Sequence, residues 1–148
     1  MNERRDADTI HASCVAIEGW GVLILGSSGA GKSDLALRLI DRGAVLVADD
    51  RCRLLPAAPD GSDARPVAAA PETLAGLIEV RSIGIVTQPH VTAAPIGLAV
   101  VLDEDPPRMP DADDSIEIAG TRLPRLRLDP RSPSAPIKVE LALRAARA

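Results

Sequence analysis

The chain has 148 residues, 46% of them hydrophobic and 26% charged, with a net charge of −4, so wholesale disorder is excluded and one domain is expected. No apolar run approaches the ~18 residues that a membrane span needs, and no basic block marks a nucleic-acid partner. Phe and Tyr are absent and Trp20 is the sole tryptophan, which removes the aromatic platforms that single-strand binders stack bases on.

Residues 1–9 read as a polar lead-in without the apolar stretch of a signal peptide, and residues 10–148 as a single domain with a cytoplasmic address. His11–Ile17 and Gly21–Leu25 are β-rich runs joined by Glu18-Gly19-Trp20, a hairpin pattern. Gly26–Gly31 is a Gly/Ser turn. Lys32–Asp41 then places Leu35 and Leu39, and Ala36 and Ile40, at i, i+4 spacing, which predicts an amphipathic helix that Gly43 ends.

Ala44–Ala48 is a short apolar strand running into Asp49-Asp50, and Arg51–Leu55 continues extended into a Pro/Gly/Asp-rich loop, Pro56–Pro66. Pro71 to Gly76 holds a short helical turn. Ile78–Thr87 carries two strand pieces around Ser82, Ile96–Leu102 is a buried strand, and Asp103–Asp114 is an acidic, Pro-rich loop. Ser115–Leu128 alternates about Ala119-Gly120 as a second hairpin, and a closing helix spans Ile137–Ala146. Hairpins flanking a single strand–loop–helix unit indicate an α/β fold with a mixed sheet. Cys14 and Cys52 lie 38 residues apart in no metal-like spacing and read as reduced, buried thiols, and only His11 and His90 could add imidazole.

The chemistry-bearing motif is Gly26-Ser27-Ser28-Gly29-Ala30-Gly31-Lys32-Ser33, which satisfies G-x-x-x-x-G-K-[ST] between an apolar strand and a helix. At this composition a chance match arises in about one sequence per thousand. One of only two lysines, among fifteen arginines, occupies the required place. Glycines let backbone N–H groups curl around a phosphate, the lysine brings a compact charge to the β- and γ-phosphates, and the serine hydroxyl ligates Mg²⁺. ATP and Mg²⁺ are the implied cofactors.

Asp49-Asp50 ends a buried strand, so the two carboxylates should face different ways, one toward a metal and one toward an incoming group as a general base; a merely polar strand terminus is the alternative. Glu79, between Ile78 and Val80, is a charge in an apolar setting that calls for a cation or an arginine partner, and Arg81 shares its face.

Taken together, GSSGAGKSDLALRLIDRGAVLVADD and IEVRSIGI resemble the signature of the HPr kinase/phosphorylase family, with Ser82 where a glycine is usual and His11 at the family's histidine position. The resemblance implies a P-loop core of the HPr kinase/phosphoenolpyruvate carboxykinase type with a mixed, hairpin-containing sheet. It implies ATP-dependent phosphorylation of a serine on the phosphocarrier protein HPr, in control of carbohydrate uptake, and assembly as a homo-oligomer, usually a hexamer.

Carried over by position, Asp49 is the expected base, Lys32 the phosphate-binding lysine, and Ser33 and Glu79 the Mg²⁺ ligands, which leaves Asp50, the other strand-end carboxylate, as the further metal candidate. His11 falls on a catalytic position, and Arg108-Met109-Pro110 is the nearest match to the family's catalytic-arginine segment, offset by a shorter preceding loop, with a solvated loop arginine as the alternative. The family's extra N-terminal domain has no counterpart here, and its P-V-R-P-G-R-N loop, tied to dephosphorylation, appears only as Asp129–Pro133, so the reverse reaction should be weak. Two other readings stay open: a non-catalytic ATP-binding sensor module and a small-molecule kinase on the same core.

Overall fold

The computed structural model describes residues 8–55 and 65–147. Eleven strands and two helices follow one another as β1 (Asp8–Ile10), β2 (Ala12–Ile17), β3 (Trp20–Leu25), α1 (Lys32–Asp41), β4 (Val45–Ala48), β5 (Cys52–Leu55), β6 (Val67–Ala69), β7 (Leu77–Val80), β8 (Gly84–Thr87), β9 (Ala93–Leu102), β10 (Ser115–Ile118), β11 (Thr121–Leu128) and α2 (Ala135–Arg147). A 3₁₀ turn, Glu72–Leu74, precedes β7. The expected lead-in, residues 1–9, falls outside the described residues up to position 7, and its end is already strand. Most of the expected loop at 56–66 lies outside them as well.

Nine strands form one mixed sheet in the order β1-β5-β6-β9-β3-β2-β4, and β11 and β10 extend it from β9. The ten-residue β9 organises it. Along one edge its start pairs antiparallel with β6 and its end parallel with β11, while its other edge runs parallel to β3. β2 is antiparallel to both β3 and β4, so β4 runs with β3. Consequently the carboxyl ends of β3, β4, β9 and β11, and the amino end of β2, meet at one end of the sheet. Ligand sites of open α/β sheets form at such ends.

α1 forms because Leu35, Ala36 and Leu39 present one fully buried stripe, while Asp34 and Arg38 make an i, i+4 ion pair at 3.1 Å on the outer face. It stops at Gly43, where a left-handed φ of 113° lets the chain reverse and cap the Ile40 and Leu39 carbonyls through the N–H groups of Gly43 and Ala44. Each fully buried leucine contributes about 2 kcal/mol.

The helices cover one face over a core that includes Val15, Val22, Ile24, Leu46, Val100 and Val139. The other face holds a second core of Ala12, Cys14, Leu23, Val47, Leu54, Ile96 and Leu123. Across this second core β5 and β6 touch β2, β3 and β4, which are not their hydrogen-bonded neighbours, so the sheet folds over itself. Arg42 and Glu140 join α1 to α2 through two hydrogen bonds of 2.9 and 2.8 Å. The Arg147 guanidinium lies 3.6 Å from the centroid of the Trp20 ring and fastens the end of α2 to β3. Burial pushes the Cys52 thiol up to about 12 and the Cys14 thiol well above its ordinary value, so both stay protonated.

Three elements differ from the expected pattern. β1 and β6 are three residues each, too short to show a strand's alternation on their own; they are strands because β5 pairs with both. β9 begins three residues before its apolar run, where Ala93–Pro95 meet β6.

Candidate active site

The loop Gly26–Gly31 leaves β3 at the shared end of the sheet and turns into α1. Gly29 and Gly31 adopt φ of 83° and 106°, which only glycine enters freely, and Ala30 closes the turn by donating to the Ser27 carbonyl at 3.0 Å. Lys32 is 5% exposed, and its Nζ donates to the carbonyls of Gly26 at 2.9 Å and Ser27 at 3.1 Å. An ammonium has three donors, so one is left for a ligand inside the loop. Ser27, Ser28 and Gly29 are exposed at the loop's rim.

The next residue, Ser33, donates from Oγ to Asp49 Oδ1 at 2.6 Å. The same oxygen accepts from Ser13 Oγ at 2.9 Å, and Oδ2 accepts from the Glu79 backbone N–H at 3.0 Å. Asp49 is therefore fully engaged, turned in toward the start of α1. Asp50 is its opposite: its backbone is left-handed at φ 65°, its side chain is 57% exposed, and its Oδ1 stands 4.0 Å from His11 Nδ1. The two adjacent carboxylates face different ways, as expected. Asp49 is the one bonded to the P-loop serine, and Asp50 is the one exposed to solvent. Asp50 leaves the strand end in a left-handed turn, so strand alternation alone does not foresee which of the two meets Ser33.

β7 and β8 form a separate two-stranded ribbon tied to this cluster through the Glu79 N–H. Ile78 is buried against the helix-side core and Glu79 points outward to solvent, so the carboxylate needs no arginine partner, contrary to the expectation from its apolar neighbours. Arg81 is exposed too. Arg108 is exposed in the loop after β9, and no hydrogen bond or ion pair found among the described residues joins it to Lys32, Ser33, Asp49, Asp50 or His11.

The loop after β11 lies against the phosphate loop, for a Cβ added at Gly31 would come 3.5 Å from Pro130 Cγ. Arg38 of α1 holds it through the Pro130 and Ser132 carbonyls. Arg131 is locked to Asp129 by two bonds of 3.0 Å, and the Arg131 guanidinium holds the Asp129 carboxyl below its usual range.

The HPr Serine kinase C-terminal domain model matches residues 4–94. The chain belongs to this family. It is similar to the HPr kinase/phosphorylase of Streptococcus gordonii, 36% identical over 133 residues that cover 81% of this chain and 41% of the relative. The HPr kinase/phosphorylase of Caldicellulosiruptor bescii is 36% identical over 130 residues, covering 80% of this chain and 40% of the relative. The chain thus spans about two fifths of the length of these curated relatives. In structure it resembles the Hpr(Ser) kinase/phosphatase from Coxiella burnetii, with a TM-score of 0.75 and 29% identity over 95% of this chain and 90% of that one. This likeness bears out the expected P-loop fold with its mixed sheet. No helix among the described residues is long and apolar enough to cross a membrane.

One member of the cluster was not foreseen from sequence. Ser13 is fully buried and bonded to both aspartates, yet its only trace in the chain is a hydroxyl inside an otherwise apolar strand.

Proposed function

We propose that this domain transfers the γ-phosphoryl group of ATP to a serine hydroxyl of a phosphocarrier protein of the HPr type. One observation carries the reading: beside a P-loop whose lysine and serine are already positioned, one carboxylate is consumed by the P-loop serine while its neighbour stands free and exposed next to a histidine. A nucleotide sensor needs the first carboxylate only. A phosphotransferase acting on a hydroxyl needs the second as well.

The donors present suit a hard divalent ion such as Mg²⁺: the Ser33 hydroxyl and the Asp49 carboxylate, with Glu79 at the edge of the cluster. Among the described residues no three His, Cys, Asp or Glu side chains gather around a common point. That agrees with a P-loop ion, most of whose ligands are phosphate oxygens and water. When bound, the ion neutralises charge on the β- and γ-phosphates. Lys32 uses its remaining donor on the same oxygens.

Asp50 accepts the proton of the attacking serine hydroxyl as the oxygen–phosphorus bond forms and the bond to ADP breaks. His11, with Nδ1 4.0 Å from Asp50 Oδ1, stands on the same side of the turn as that carboxylate. We assign the base to Asp50 and the metal-side position to Asp49. Arg108 is given no role in this reading. HPr as substrate, a cytoplasmic setting and a hexameric assembly belong to the same proposal, carried by the family membership.

The test is transfer of label from [γ-³²P]ATP with Mg²⁺ to HPr-type phosphocarriers. A label that stays in ATP although the nucleotide binds would favour the sensor, and a label on a metabolite the small-molecule kinase.

A further inference from the structure

Ser13 is one of only two buried polar or charged side chains among the described residues; the other is Lys32. On β2 its neighbours Ala12, Cys14, Val15 and Ala16 are all apolar and buried, so alanine or valine would satisfy the strand's packing. A hydroxyl there is costly unless it is bonded, and it is bonded twice. Its Oγ donates to Asp49 Oδ1 at 2.9 Å and accepts from the Asp50 backbone N–H at 3.1 Å. The directions follow from chemistry, since an ionised carboxylate only accepts and an amide N–H only donates.

The bond to Asp50 matters because of where that residue sits. Asp50 holds φ 65°, a conformation that costs a non-glycine residue free energy and persists only where its surroundings impose it. Three bonds impose it here. Arg51 N–H closes the turn on the Asp49 carbonyl at 2.7 Å, Ala12 N–H holds the Asp50 carbonyl at 3.2 Å, and Ser13 Oγ holds the Asp50 N–H. The first two are made by backbone that any sequence supplies. Ser13 alone is a side-chain choice, and it grips both aspartates with a single atom.

We infer that Ser13 is a positioning residue for phosphoryl transfer: it fixes the left-handed turn at Asp50, so that the Asp50 carboxylate faces outward. This rests on the assignment of Asp50 as the base. Removing the hydroxyl leaves the P-loop, Lys32 and the Asp49–Ser33 bond intact, so nucleotide binding survives. It frees the Asp50 backbone to relax out of its turn, which displaces the carboxylate. Displacements of about 1 Å in a reacting group cost up to ~10²-fold in rate.

The experiment compares Ser13→Ala, Ser13→Cys, Asp50→Asn and Ser13→Ala/Asp50→Asn in the full chain. For Ser13→Ala a fall in kcat of ~10–50-fold is expected, with the dissociation constant for Mg²⁺–ATP within about three-fold and faster hydrogen exchange at the Asp50 amide. In the Asp50→Asn background, Ser13→Ala should change kcat no further, because both act on one group. Ser13→Cys keeps the volume but bonds weakly, so it should lose activity as the alanine variant does.

Wild-type kcat in Ser13→Ala would overturn the inference. So would full activity in Ser13→Cys, which would make packing the role of residue 13, or losses that multiply in the double variant. A fully active Asp50→Asn would instead overturn the assignment of the base, and the amide exchange at residue 50 would still report whether Ser13 holds the turn.

Discussion

Replacing Asp49 and Asp50 one at a time should produce two unlike proteins, although the residues are adjacent and identical in type. Asp49→Ala strips an acceptor from Ser13 Oγ, Ser33 Oγ and the Glu79 N–H. Ser33 is half-buried and Glu79 exposed, so water can replace their lost partner. Ser13 is fully buried and cannot recruit water. An unsatisfied buried hydroxyl costs about 1–3 kcal/mol, and the two replaceable bonds add about 0.5–1 kcal/mol between them. A loss of about 1.5–4 kcal/mol in a domain of this size lowers Tm by ~5–12 °C.

Mg²⁺-dependent ATP binding should weaken in the same variant. Asp50→Asn should do neither. The side chain is 57% exposed, its nearest charged contact is His11 at 4.0 Å, and asparagine accepts a left-handed φ as readily as aspartate does. Stability should stay within about 0.5 kcal/mol while transfer to the serine falls ~10²–10⁴-fold, the range for a lost general base. Thermal melts, a fluorescent-ATP titration with and without Mg²⁺, and the transfer assay read the three quantities. An Asp49→Ala protein that melts like wild type, or an Asp50→Asn protein that still phosphorylates its substrate, would refute the division of labour drawn from these hydrogen bonds.

Ser82 sits at φ 76° in the β7–β8 turn and is exposed, so Ser82→Gly should raise stability by about 0.5 kcal/mol, or ~1–2 °C in a thermal melt, once the greater chain entropy of glycine is offset. Arg42 holds the Glu140 carboxyl below its usual range, so their tie between the helices is present above about pH 4.3, the unfolded value, and is lost as pH falls through the lower folded value. Glu140→Gln should therefore flatten the acid limb of a Tm-against-pH curve between pH 5 and 3 relative to wild type. In the reverse direction a phosphate oxygen attacks the phosphoserine phosphorus, pyrophosphate forms and the serine oxygen leaves with a proton. With Arg131 locked to Asp129 and prolines beside it, pyrophosphate release from phosphoserine-HPr should be much slower than the forward reaction, and a comparable rate would show that this loop is dispensable for the reversal.

The phosphate loop, α1 and the Asp49-Asp50 strand end could be read from the chain because their signals are local. A glycine pattern, a four-residue apolar period and an apolar run meeting two acids each lie within about ten consecutive residues. β1, β6 and the first three residues of β9 could not be read that way, since their strand character comes from β5 and from one another, and a run of three residues does not announce a partner forty positions away. Glu79 was legible as a site residue through the IEVRSIGI segment, but its outward direction depends on how β7 lays Ile78 on the core.

The division between the two aspartates is the clearest case. Sequence establishes that two carboxylates end a strand beside a P-loop, and that they differ. Where the second of them points depends on a backbone angle at Asp50 that is held partly from β2, through the Ala12 N–H and a hydroxyl 37 residues earlier in the chain. A left-handed residue turns its side chain away from where strand alternation would put it, and the bonds that make such a residue tolerable come from a neighbouring strand, so only the folded sheet could decide it.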